Sequence, residues 1–150
     1  VHELGGDVLA VLVAGGASGR VLEEMLDEAG VRRCSVPIQG RTRVSLNVQD
    51  LGSGLEYRFV PEGPTLAEAE WRSVLAVLEE VEGDWLIASG SLPNGVPDDA
   101  YAQVARIAAR RGLPFVLDTS GPALRAALDQ GGLGQAQPAR TGTPSGSRPV

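Results

Sequence analysis

Three times in this chain a short apolar run ends in a loop of small residues and then passes into an amphipathic stretch. The first run is Val8–Val13. Ala14-Gly15-Gly16-Ala17-Ser18-Gly19 follows it, and then Val21, Leu22, Met25, Leu26 and Ala29 fall on one helix face before Gly30 stops the pattern. The second is Asp84–Ala88, followed by Ser89-Gly90-Ser91-Leu92-Pro93-Asn94-Gly95 and a helix over Asp98–Arg111. That helix has Tyr101, Val104, Ile107 and Ala108 on its inner face, and Arg110, Arg111 and Gly112 as its C-terminal charges and cap. The third is Leu113–Leu117, then Asp118-Thr119-Ser120-Gly121, then a short helix over Pro122–Leu128. Continuous apolar runs of this length read as strands buried on both faces, and their alternation with helices selects a parallel sheet. A further helix is marked by Trp71, Val74, Leu75, Leu78 and Val81, capped near Thr65. The fold class expected is α/β, a mostly parallel sheet flanked by helices.

One stretch breaks this rhythm. From Arg43 to Gln49 apolar and polar residues alternate, with Val44, Leu46 and Val48 on one side. After the turn Gly52-Ser53-Gly54, the segment Leu55–Val60 alternates again. This predicts a β-hairpin with one apolar face, closed off by Pro61-Glu62-Gly63-Pro64. Inserted between α/β units at about 41–60, such a hairpin acts as a flap or small second sheet, and its apolar face needs a cover.

The charge balance narrows the partners. The chain has 150 residues, 13 basic and 19 acidic, for a net charge of −6. A nucleic-acid binder would carry a basic face, so nucleic acid is not expected as a partner. Every basic residue other than His2 is an arginine, so any phosphate must be held without lysine. Cys34 is the single cysteine, which suits a reducing cytoplasm, and it reads as a packing residue. With His2 as the only histidine, no His/Cys metal cluster is expected. No apolar run approaches the ~20 residues of a membrane span. Val1-His2-Glu3-Leu4 reads as the end of a helix stopped by Gly5-Gly6 and not as a signal peptide. The expected location is the cytoplasm, without membrane association.

The chemistry is expected at the loops after the strands, because open α/β sheets place ligands at the carboxyl ends of their strands. In the loop from Ser89 to Gly95, small residues allow backbone amides to approach a ligand, and two serine hydroxyls add adaptable donors. Gly15–Gly19 lacks both the Walker lysine and a full Gly-x-Gly-x-x-Gly, so it reads mainly as a packing turn.

These motifs, in this order, resemble the ribokinase-like (pfkB-type) carbohydrate kinases. The matching stretches are Gly15-Gly16-Ala17-Ser18-Gly19, Thr42-Arg43, Glu56-Tyr57-Arg58-Phe59-Val60 with Gly63-Pro64, Ser89-Gly90-Ser91-Leu92-Pro93-x-Gly95, and Asp118-Thr119-Ser120-Gly121 with Ala123-Leu124. The resemblance runs from Val1 to about Leu133 and is strongest to the branch acting on sugar phosphates: minor-type 6-phosphofructokinases, 1-phosphofructokinases and tagatose-6-phosphate kinases. It implies ATP-dependent phosphorylation of a sugar phosphate such as fructose 6-phosphate, with Mg²⁺. It also implies that Arg43 binds the phosphate already on the sugar, its planar fork suiting two phosphate oxygens. Gly90 and Ser91 then contact the substrate. Asp118 lies near the phosphates or their Mg²⁺, or else caps the turn that follows it. The hairpin corresponds to the family's lid, which implies a homodimer paired through it.

The resemblance covers only the central part of such a kinase. The Lys-Pro-Asn segment and the Gly-Ala-Gly-Asp motif, which supplies the anion hole and catalytic base, are not in the sequence. The nucleotide site is therefore expected to be largely absent and the chain inactive by itself, so no catalytic residue is assigned. The alternative is a non-catalytic phosphosugar-binding or lid-dimerisation module. Residues 134–150 are rich in Gly, Pro, Ser, Thr and Arg without periodicity, the composition of a disordered tail. Back-translated one base out of frame, Gly134–Thr141 can encode a Lys-Pro-Asn segment, as a frameshift near Leu133 would produce.

Overall fold

The computed structural model describes residues 1–129; the expected tail lies outside them. A single 3₁₀ turn, His2–Leu4, opens the chain and ends at Gly5 in the left-handed region (φ 78°), the helix stop expected there. The elements that follow are β1 (Leu9–Ala14), α1 (Gly16–Glu28), β2 (Arg32–Pro37), β3 (Leu46–Gln49), β4 (Glu56–Phe59), α2 (Glu68–Glu80), β5 (Leu86–Ser89), α3 (Ala100–Arg110), β6 (Phe115–Asp118) and α4 (Gly121–Asp129). The described residues form three two-stranded sheets. β1–β2 and β5–β6 are parallel, and β3–β4 is antiparallel.

The chain divides into two compact units. The first comprises Val1–Glu82 with Leu92–Pro97. Its parallel pair runs in register from Leu9 opposite Arg32 to Ala14 opposite Pro37, and α1 and α2 both pack against it. β2 is a strand that the sequence pattern did not indicate. Arg32-Arg33-Cys34-Ser35 is too polar to read as a buried run, and β1 imposes the extended conformation by pairing with it. Arg33 explains how such a strand is tolerated. Its guanidinium donates to both Asp27 carboxylate oxygens at 2.8 and 2.9 Å and to Glu23 at 3.0 Å, tying β2 to α1. The fork of donors from Arg33 holds the Asp27 carboxyl below its ordinary range. Cys34 is half-buried opposite Val11.

The hairpin strands are shorter than the alternation indicated, but their register puts the apolar residues together. Leu46 faces Phe59 and Val48 faces Tyr57, so all four share one face. Asp50 fixes the turn by accepting from the Gly52 N–H at 2.9 Å and from the Ser53 hydroxyl, which lowers its pKa. α2 starts at Glu68 with Ala67 as its N-cap, so Thr65 is not the cap. Glu70 does the capping, its Oε2 accepting from the Ala67 N–H at 2.7 Å.

The second unit holds Gly83–Ser91 and, of the described residues, those from Asp98 to Asp129. Its core is α3, where Ala100, Tyr101, Ala102, Val104, Ala105, Ile107 and Ala108 are all buried. α3 packs on β6 and on α4. Leu117, at 1% exposure, is the largest fully buried side chain of the described residues. β5 departs from the expectation of a strand buried on both faces. Ile87 pairs with Val116 on a face that stays exposed, at 60% and 38%, while Leu117 takes the opposite side. Within this unit, helices cover one face of the pair only.

Candidate functional site

In the first unit, the candidate phosphate ligand sits on a loop that is clasped by the glycine turn after β1. The Gly15 N–H donates to Thr42 Oγ1 at 3.0 Å, and the Thr42 N–H donates back to the Gly15 carbonyl at 3.0 Å. Ser18 Oγ donates to the Thr42 carbonyl at 2.5 Å. Gly15 has extended backbone angles, so its requirement for glycine is steric. A Cβ there would lie inside the envelope of the Gly40 carbonyl oxygen and 2.6 Å from that of Ile38. The space beside Gly15 is thus filled by protein backbone. Glu70 holds the other side of the loop, since the carboxylate that caps α2 also accepts from the Gln39 N–H at 2.6 Å.

Arg43 follows directly. Its side chain is exposed, its Cδ lies near Gly63, and it makes no ion pair among the described residues. The backbone beside it is fixed by Thr42 and the guanidinium is left open to solvent. That arrangement suits an anion from solution.

The Ser89–Gly95 loop is shared between the units. Leu92–Pro97 belongs to the first, where the Leu66 N–H donates to the Asn94 carbonyl at 2.8 Å. Gly95 (φ 83°) packs against Leu66 and Thr65, so this glycine serves backbone packing and not ligand approach.

Ser89, Gly90 and Ser91 belong to the second unit, at the carboxyl ends of β5 and β6. All three are exposed. Gly90 has φ 104°, with open space where a Cβ would stand. Its N–H donates to the Asp118 carbonyl at 2.9 Å, and its own carbonyl accepts from the Tyr101 hydroxyl and from Thr119 Oγ1, both at 2.8 Å. The two hydroxyls are buried in the unit: Thr119 is 4% exposed and Tyr101 9%. Burial raises the Tyr101 pKa, with the neighbouring Thr119 hydroxyl opposing it weakly, so the phenol remains a donor throughout the neutral range. The structure therefore brings Gly90 and Asp118 together, with Ser91 next in the chain. The Asp118 carboxylate is exposed and meets Ser89 Oγ only at a long 3.5 Å. It accepts nothing from the turn that follows, so of the two roles open to it the turn cap has no support among the described residues. From the sequence, Thr42 and Thr119 stood out only as members of their motifs, Tyr101 only as a packing residue, and Glu70 not at all. A tyrosine on an otherwise apolar buried face was the available signal, since its hydroxyl needs a partner.

Residues 1–132 match the pfkB family of carbohydrate kinases. The chain belongs to that family. Among curated pfkB relatives, the ATP-dependent 6-phosphofructokinase isozyme 2 of Mycobacterium tuberculosis is 42% identical over 127 residues, covering 83% of this chain and 38% of the relative. The tagatose-6-phosphate kinase of Staphylococcus epidermidis is 34% identical over 131 residues, covering 85% and 41%. Among solved pfkB structures, phosphofructokinase-2 from Escherichia coli in complex with fructose-6-phosphate superposes with a TM-score of 0.83 at 37% identity, covering 90% of this chain and 44% of that one. The chain thus spans less than half the length of the curated relatives it matches. No helix among the described residues is long and apolar enough to cross a membrane.

Proposed function

We propose that this chain supplies the sugar-phosphate side of an ATP-dependent kinase whose acceptor is a phosphorylated ketohexose, fructose 6-phosphate or tagatose 6-phosphate. The observation that carries the reading is Arg43, an exposed guanidinium without an acidic partner on a loop pinned by Thr42 and Glu70. In this reading Arg43 is the phosphate ligand of the first unit, and Gly90 and Ser91, at the ends of β5 and β6, are sugar-contacting residues of the second. Asp118 stands near the transferred phosphoryl group or its Mg²⁺. A relative that acts on tagatose 6-phosphate and a structural neighbour solved with fructose 6-phosphate support this substrate class.

In this reading the nucleotide site lies largely outside these residues. The Gly15–Gly19 turn is filled by Gly40 and Thr42, and no group of three metal-ligating side chains occurs among the described residues. Phosphoryl transfer depends on positioning and charge stabilisation, so these residues alone bind the sugar without turning it over. The test is calorimetric titration of the chain with fructose 6-phosphate, beside an assay for ADP release from ATP. Arg43→Ala is expected to weaken binding by roughly tenfold to a hundredfold, the loss of a charge-assisted pair. A folded parent chain that ignores the sugar overturns the binding role, and sugar-dependent ADP release overturns the inactivity.

A second reading, pairing of two chains through the lid hairpin, is favoured by one observation. Leu46, Val48, Tyr57 and Phe59 form a single apolar face that is about half exposed at every position. An isolated two-stranded hairpin is marginal in water without a cover. Sedimentation of the parent and of Phe59→Glu tests it: a dimer dissociated by the charge supports pairing, and a monomeric parent refutes it.

A further inference from the structure

The peptide joining Gly90 to Ser91 is held at its carbonyl by two side-chain hydroxyls. Both acceptor positions of the Gly90 carbonyl are occupied, one by Tyr101 and one by Thr119, at 2.8 Å each. The Gly90 N–H is tied to Asp118. No peptide bond among the described residues is cis, so the Ser91 N–H points away from the carbonyl that the two hydroxyls hold. Among the described residues none accepts a hydrogen bond from that N–H, and Ser91 is exposed. A backbone donor is thereby presented to solvent in a set direction, beside a glycine whose φ of 104° no ordinary side chain adopts readily.

We propose that Tyr101 and Thr119 are positioning residues that jointly aim the Ser91 amide at an oxygen of the bound sugar phosphate. The proposal rests on the sugar-phosphate reading above. It goes beyond it by assigning the direction of the Ser91 donor to two buried hydroxyls that touch no ligand. Tyr101 comes from α3 and Thr119 follows β6, so the loop takes its orientation from the unit's own core. A preset donor costs a ligand less than a loop that must be ordered on binding.

The test uses the whole chain, isotopically labelled, with the variants Tyr101→Phe, Thr119→Ser, Thr119→Val and the double variant Tyr101→Phe/Thr119→Val. Three quantities are read: the Gly90 carbonyl ¹³C resonance, the residual dipolar coupling of the Ser91 N–H, and the Kd for fructose 6-phosphate. In the double variant the carbonyl resonance moves upfield and the dipolar coupling changes. The sugar binds about tenfold more weakly, the scale of one or two lost hydrogen bonds. Thr119→Ser retains the hydroxyl and stays near parental affinity even if its melting temperature falls, which a general loss of packing would not allow. Unchanged Gly90 and Ser91 signals overturn the proposal, and so does a reoriented Ser91 N–H with unchanged affinity. If the double variant does not fold, Tyr101→Phe, which keeps the ring, carries the same readings. If the parent does not bind the sugar, the functional reading fails separately. The aiming of Ser91 by the two hydroxyls then stands on a changed dipolar coupling and falls on an unchanged one.

Discussion

Two glycine turns at the ends of parallel strands look alike in the sequence and do opposite things. The turn after β1 is full: Gly15 has ordinary backbone angles, and what excludes a side chain there is the backbone of Ile38 and Gly40. The turn after β5 is open: nothing stands where a Gly90 Cβ would be, and what requires glycine is the positive φ. Space decides the first and torsion the second. A small residue after a strand therefore does not by itself mark a ligand site. Here the filled turn serves as a clamp for Thr42 and Arg43, and the open one presents donors to solvent.

The largest effect is expected where the clash is with backbone, which cannot rotate away. Gly15→Ala should cost about 3 kcal/mol or more and release the Arg43 loop. Chemical denaturation of the chain measures it, and a cost below about 1 kcal/mol would mean that Gly40 and Ile38 move aside easily. Gly90→Ala comes second, at about 1–3 kcal/mol, all of it torsional. The same melt reads it, and a cost equal to that of Gly15→Ala would erase the distinction between the two turns.

The smallest effect is a pH effect confined to one turn. The folded-state pKa of Tyr101 is raised by burial, so the stability it contributes is complete below its ordinary value near 10 and is lost as pH rises through the higher folded value. Following the Gly90 and Gly15 carbonyl resonances into alkali should show the first moving above about pH 10 while the second stays in place. Parallel movement would point to global loosening instead.

Much of the fold was legible because it is written in local periodicity. The helix faces of α2 and α3, the alternation in the hairpin and the positive-φ glycine stops at Gly30 and Gly112 all follow from spacing within a dozen residues, whereas on the expected face of α1 Val21, Met25 and Ala29 are exposed and only Leu22 and Leu26 are half-buried. Gly90 and Ser91 were singled out because strand ends are where such sheets place ligands, and Arg43 and Asp118 came from the family's pattern. What spacing could not give was β2. Arg32 and Arg33 make a strand there only because β1 offers hydrogen bonds in register and Asp27, Glu23 and Asp7 offer partners for the charges.

The sequence by itself determined the order of elements, the absence of lysine at any phosphate and the apolar face of the lid. Tertiary structure decided which glycine turn is filled and which is open. Gly15 is closed by Thr42, 27 residues away, and Gly90 is held by Tyr101 and Thr119, 11 and 29 residues away. Periodicity reports which way a side chain faces along its own element, whereas the occupant of a turn depends on which distant backbone packs beside it.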